Sequence, residues 1–175
     1  MAARRILFAM LVLSAAFAGG ARAQISQEEV KATFLYRFAS FVSWPAGSFP
    51  DAAMPVQICV IGADPLARSL LRTTAAQRLG ARAFIVRRVA DVDNVDDCHL
   101  LYVVGDRTDA ALRAARRHAI LTVTDGGGEH GIIHFAIVDA RVRFYIDDAL
   151  AAESGLNVDP RLLSLAISVR RRPTS

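Results

Sequence analysis

The chain lacks the spaced motifs that most enzymes carry. No serine sits in a G-x-S-x-G elbow, no histidine pair follows the H-E-x-x-H order, and no glycine-rich turn ends in Gly-Lys-Ser/Thr. Each absence removes one chemistry: an activated serine, a helix-borne zinc site, or a phosphate loop that opens a helix. Cysteine is scarce: Cys59 has no base beside it in sequence, and the His99 beside Cys98 reads as structural. An even number of cysteines in an oxidising compartment invites pairing, while buried free thiols are the other common use. Beyond residue 23 no apolar run reaches the ~20 residues that span a ~30 Å hydrocarbon core. Excess charge is missing too. The formal +4 includes three arginines at positions 4, 5 and 22, and the remaining 18 basic and 17 acidic residues leave +1. Nucleic-acid binding normally shows as a strong basic excess on one face, which is not found here. Only Arg170-Arg171-Arg172 cluster, expected in the last turn of a helix where cations suit the dipole.

What is present begins with an export signal. Arg4 and Arg5 form a basic start, Ile6 to Ala18 an apolar run of thirteen residues, and Ala21-Arg22-Ala23 a small-x-small cleavage site. Residues 1–23 are therefore expected to be a signal peptide, and 24–175 a single α/β domain starting at Gln24. No Cys follows the run to take a lipid, so the product is expected to be free, and periplasmic in a diderm bacterium.

Ser26 and Glu29 have capping-box spacing, with Ile25 and Val30 placed as a hydrophobic staple, before a helix expected over about 27–42. Val56 to Ile61 reads as a strand buried on both faces. Asp64 as N-cap and Pro65 start a helix. Strands are expected over 83–89, 100–104 and 120–124, with a helix capped by Asp106 or Thr108 and reaching about 118. A hairpin over 132–146 turns at Asp139-Ala140. A short helix ends at Gly155, and Asp159-Pro160 opens a final helix carrying Leu162, Leu163, Leu165, Ala166 and Val169. Alternating strands and helices predict a three-layer fold: a mostly parallel sheet of about six strands, helices on both faces, and a C-terminal antiparallel hairpin.

Asp125 to Gly131 is rich in glycine but leads into a strand, so it reads as a connection rather than a phosphate cradle. His130 and His134 are four apart. On a strand they would share a face ~13 Å apart at ~3.3 Å per residue and could not chelate one ion. His99 and His118 read as structural, and Asp148 as a helix cap rather than half of an acidic pair with Asp147. No catalytic residue, metal site or cofactor is indicated.

Several segments, in order, resemble the YfiR family of periplasmic proteins. They are Lys31-Ala32-Thr33-Phe34-Leu35-Tyr36-Arg37-Phe38 running into Phe41-Val42-Ser43-Trp44-Pro45, Ile58-Cys59-Val60-Ile61-Gly62 with Asp64-Pro65, Cys98-His99-Leu100-Leu101-Tyr102, Ile120 to Asp125, Val142-Arg143-Phe144, and Gly155-Leu156 through Ala166. The resemblance implies a regulator, not an enzyme: it binds the periplasmic domain of an inner-membrane diguanylate cyclase and represses it, lowering cyclic di-GMP and biofilm formation. It also implies that an OmpA-like outer-membrane lipoprotein can sequester the repressor; the sequence itself leaves the oligomeric state open, a homodimer included. The chain departs from the family in having Phe144-Tyr145-Ile146-Asp147 where Phe-Glu-Ile-Asn is usual, and in lacking a second close cysteine pair that some members carry. The alternative reading is a periplasmic small-molecule-binding module with its ligand at the carboxyl ends of the strands. Genomic context separates the two, through a neighbouring cyclase gene or a transporter cluster.

Two expectations concern particular residues. Cys59 and Cys98 are expected to form a disulfide, because the first and third strands of a common doubly wound order are neighbours. Aligning Gly62 with Gly105 would offset the two cysteines by four residues, beyond the ~7 Å Cα limit, so the pairing requires staggered strands. The hairpin, at a sheet edge, and the final helix are expected to present the partner surface through Ile133, Tyr145, Leu165 and Val169, where the bland reading is that all four are core.

Overall fold

Ser26 opens the described chain, residues 26–173 of a computed structural model, with both halves of its capping box. Glu29 N–H donates to Ser26 Oγ at 3.2 Å, and Ser26 N–H donates to Glu29 Oε2 at 3.1 Å. The leader, the cleavage site and the Ile25 half of the staple lie outside the described residues. Helix α1 (Gln27–Phe38) is shorter than its periodicity predicts: a 3-10 turn at Ala39–Phe41 follows, then strand β1 (Val42–Ser43). The β-branched Val42 next to Trp44-Pro45 favours extended chain, and Val42 pairs with Val158 of β9 (Asn157–Val158) in a two-stranded sheet.

The main elements follow as β2 (Val56–Ile61), α2 (Asp64–Thr74), β3 (Arg78–Leu79), β4 (Arg82–Arg88), β5 (Leu100–Val103), α3 (Thr108–Ala115), β6 (Leu121–Asp125), β7 (Ile133–Val138), β8 (Arg141–Asp147), α4 (Asp148–Glu153), β9, α5 (Pro160–Leu163) and β10 (Val169–Arg170). Eight strands form one sheet in the order β10-β8-β7-β6-β5-β2-β4-β3. Pairings from β4 through β7 are parallel, β7–β8 and β3–β4 are antiparallel, and β10 joins β8 in parallel. The expected architecture is present, with more and shorter edge strands than the pattern predicts. β2 is central and apolar because both faces are covered. Ile58 and Val60 enter a core with α1 and α2, and Cys59 and Ile61 a second core with α3. Gly62 takes φ +79° beside β5, where a Cβ would collide with the Val104 carbonyl oxygen. Among the described residues no helix is long and apolar enough to cross a membrane.

Four local readings are corrected. Arg107 stands at the cap of α3 with no side-chain bond, so neither Asp106 nor Thr108 caps it. Asp64 is the first helical residue of α2, with Ala63 at the cap, and its carboxylate lies 3.7 Å from Arg88. The cap of α4 is Asp147, whose Oδ1 accepts from Leu150 N–H at 2.8 Å, while Asp148 instead holds Arg172. The final helix stops at Leu163. Leu165 and Ala166 lie beyond it, and Val169 is in β10, because the backbone finds partners on β8: Ile167 N–H donates to Phe144 O at 2.8 Å. The arginine triplet is therefore not a helix end. Arg170 pairs with Asp147, and Arg172 with Asp148 and Asn157.

Candidate partner-binding site

The hairpin turns in two residues. Asp139 and Ala140 both have positive φ, 49° and 59°, the left-handed pair that matches strand twist in a tight hairpin. Register puts Ile133 opposite Ile146 and Phe135 opposite Phe144, and these side chains enter the core beneath Phe34 and Phe38 of α1. Ile133 is fully buried, which removes it from the partner surface: strand alternation gives it to the α1 side. His134 and Tyr145 face the other way. On that side of the sheet α3 packs on β5 and β6. Tyr145 is half-buried there, beside Ser168 and Arg170.

The tail places the remaining two expected residues. Val169 lies opposite Ile146, half-buried, on the α1 side, while Leu165 is 58 % exposed. Tyr145 and Val169 are thus brought together on adjoining strands but project to opposite faces. The hairpin is not the outermost element, because β10 covers β8 at Ile146 and Asp147. Apolar surface collects around it nonetheless: Ile137, Val138 and Ile167 are all exposed.

The histidines depart from the strand estimate. His130 precedes β7, and the chain bends at Gly131, whose N–H donates to Thr124 Oγ1 at 3.0 Å. The His130 and His134 rings therefore stack, centroids 3.6 Å apart and planes 8° from parallel. Faces meet rather than converging nitrogens, and no third metal-ligating side chain joins them among the described residues. Thr124 Oγ1 lies 2.9 Å from His134 Nδ1. Burial lowers the His134 pKa, the neighbouring His130 adds to the effect, and Asp125 opposes it.

Cys59 and Cys98 are bonded, with Cα atoms 5.9 Å apart. Strand stagger is not the means. Ile61 faces Val103, so Gly62 and Gly105 are only one residue out of alignment. Cys98 instead precedes β5 in a turn, its N–H donating to Val95 O at 2.9 Å, which carries it over β2. Next to it, His99 Nδ1 accepts from Gln57 N–H at 3.1 Å, leaving Nε2–H to donate to Ser48 O at 3.0 Å. Phe49 stacks on that ring at 4.1 Å, and burial lowers the His99 pKa. His99 is structural, as its isolation suggested.

Sequence reasoning missed a polar cluster at the carboxyl ends of the strands. Lys31 on α1 and Tyr102 on β5 both donate to Asp125 Oδ2, the tyrosine at 3.0 Å. Burial, then the Asp125 charge, raises the Tyr102 pKa well above the ordinary value. A signal was available: Lys31 is the only lysine in a chain otherwise using arginine, placed within an apolar helix.

No curated protein matches the chain. A family model described as YfiR/HmsC-like matches residues 28–167. That span runs from the first turn of α1 to the segment leading into β10, so it takes in the disulfide, the buried lysine and the hairpin together. The chain belongs to the YfiR/HmsC-like family.

Proposed function

We propose that this protein is a periplasmic regulator that binds the periplasmic domain of an inner-membrane diguanylate cyclase and represses it, so lowering cyclic di-GMP and biofilm formation. Family membership supports the regulatory reading. The observation that carries the docking surface is the apolar area around the hairpin and tail, Leu165 at 58 % and Ile137 at 46 % exposed, which this chain's own core leaves unused. Tyr145, Leu165 and Val169 belong to that surface, and Ile133 does not. Residues 1–23 act as the leader, and the released domain starts at Gln24. An OmpA-like outer-membrane lipoprotein competes for the repressor.

The experiment is capture from membranes with the processed domain, followed by cyclase assay of the retained fraction. A retained cyclase whose activity falls on adding the domain is expected, and no retained cyclase overturns the reading. Tyr145→Ala and Leu165→Glu should leave melting within the ~0.5 kcal/mol usual for surface changes and weaken repression. If both fold and still repress, the partner docks elsewhere. Intact mass of periplasmic material should begin at Gln24. The alternative, a small-molecule module, draws on an open depression at the carboxyl ends of β2 and β4 between Asp64, Arg88 and Arg107.

A further inference from the structure

The outer edge of β8 is only partly covered. Ile167 N–H donates to Phe144 O, and Ile146 N–H donates to Ser168 O at 3.1 Å, so Phe144 and Ile146 turn backbone groups away from β7. Backbone groups alternate along an antiparallel strand, which turns the N–H and C=O of Val142 outward as well. The tail joins the edge only from Ile167 onward, and among the described residues no backbone bond reaches Val142 on that side. Outward donors and acceptors on an edge form a template for another strand.

The two sides of this edge differ in chemistry. Val142 faces the α1 side, beside the exposed Ile137 opposite it in register. Ile167 is exposed in the bend that leads into β10 and lies against Phe144 through its backbone bond. Arg141 and Arg143 project to the opposite side with Tyr145, and neither has an ion-pair partner among the described residues. Side chains of an added strand would alternate between these two sides. We infer that the edge from Arg141 to Phe144 receives an extended segment of the partner by strand addition, with acidic residues over Arg141 and Arg143 alternating with apolar residues toward the exposed Ile137 and Ile167. Backbone bonds give such a contact its affinity, and the alternation gives it selectivity. The inference rests on the regulatory reading only for who the partner is.

The test uses the purified protein and three synthetic peptides of seven residues: alternating Val and Glu, alternating Val and Lys, and alternating Pro and Glu. The Val/Glu peptide should bind and slow hydrogen exchange at the Val142 and Phe144 amides. The double variant Arg141→Glu/Arg143→Glu, at exposed positions, should lose that binding by about tenfold or more and gain the Val/Lys peptide. Equal binding of the Pro/Glu peptide, which lacks half the backbone donors, would reduce the contact to charge attraction and overturn strand addition. Self-association of the protein that competes with the peptide would assign the edge to a second copy and overturn it as well. Peptide binding without cyclase capture rejects the regulatory reading and leaves the edge assignment standing. Cyclase repression untouched by the double variant overturns the edge assignment alone.

Discussion

Lys31 and Asp125 are 94 residues apart in sequence and paired in the fold, with side chains only 11 % and 18 % exposed. The pair ties the first helix to the end of β6, and Tyr102 closes it from β5. A buried pair is costly to break from one side, because the remaining charge stays behind without compensation. Lys31→Met should therefore cost ~3 kcal/mol or more in urea unfolding, while Lys31→Met/Asp125→Leu should recover part of it. A single variant within ~0.5 kcal/mol of the parent chain would show the pair to be idle. In spectrophotometric titration one of the three tyrosines should stay protonated well past pH ~10, and Tyr102→Phe should remove that group alone.

The disulfide should act on stability and resist attack in the folded state. It joins residues 39 apart, and the chain-entropy model gives about 4 kcal/mol for a loop of that size. Cys59→Ser/Cys98→Ser should lower the urea midpoint accordingly. Cys59 is fully buried and Cys98 nearly so, so dithiothreitol should open the bond only under conditions that unfold the chain. Two titratable thiols in the unreduced, unfolded protein would contradict the bond itself.

Acid should destabilise the fold through His99 and His134. Both pKa values are lowered in the folded state, foremost by burial, so the unfolded chain binds protons more readily. Stability from these groups is complete above the unfolded value of ~6.5 and is lost as pH falls through the lower folded values. The difference in unfolding free energy between the parent chain and His99→Asn/His134→Asn should narrow between pH 7 and pH 5. A constant difference would mean that neither ring stays neutral.

The hairpin turn should be improvable. Ala140 holds φ 59°, a left-handed conformation that costs an L-residue with a Cβ roughly 1 kcal/mol and glycine little. Ala140→Gly should raise the melting midpoint, and unchanged or lower stability would show the turn to be already relaxed.

Much of the architecture was readable because local and global signals agreed. The capping box, the Val56–Ile61 run, polar only at Gln57, and the Asp139-Ala140 turn each fixed an element through short-range chemistry alone. The tail was not readable in that way. Leu162, Ala166 and Val169 have helical spacing, but the open edge of β8 offers Ile167 and Val169 backbone partners that no local pattern encodes, and that edge decides their state. The surface assignment of Ile133 failed by one step of strand alternation. The His130–His134 stack escaped because Gly131 lets the chain bend just before β7 begins, so counting residues at strand rise measured a path the backbone does not follow.

The bond between Cys59 and Cys98 encloses α2, β3 and β4 in one covalent ring, and the Gly80-Ala81 turn between β3 and β4 is an exposed point of that ring. Exposed turns of small residues are where proteases cut first. A cut there would leave a single molecule of unchanged size on a non-reducing gel, and only a reductant would part it into two pieces. Loss of full-length chain after reduction, with none lost before it, is therefore the mark of a nick inside the ring, whereas a cut anywhere outside residues 59–98 releases its fragment at once.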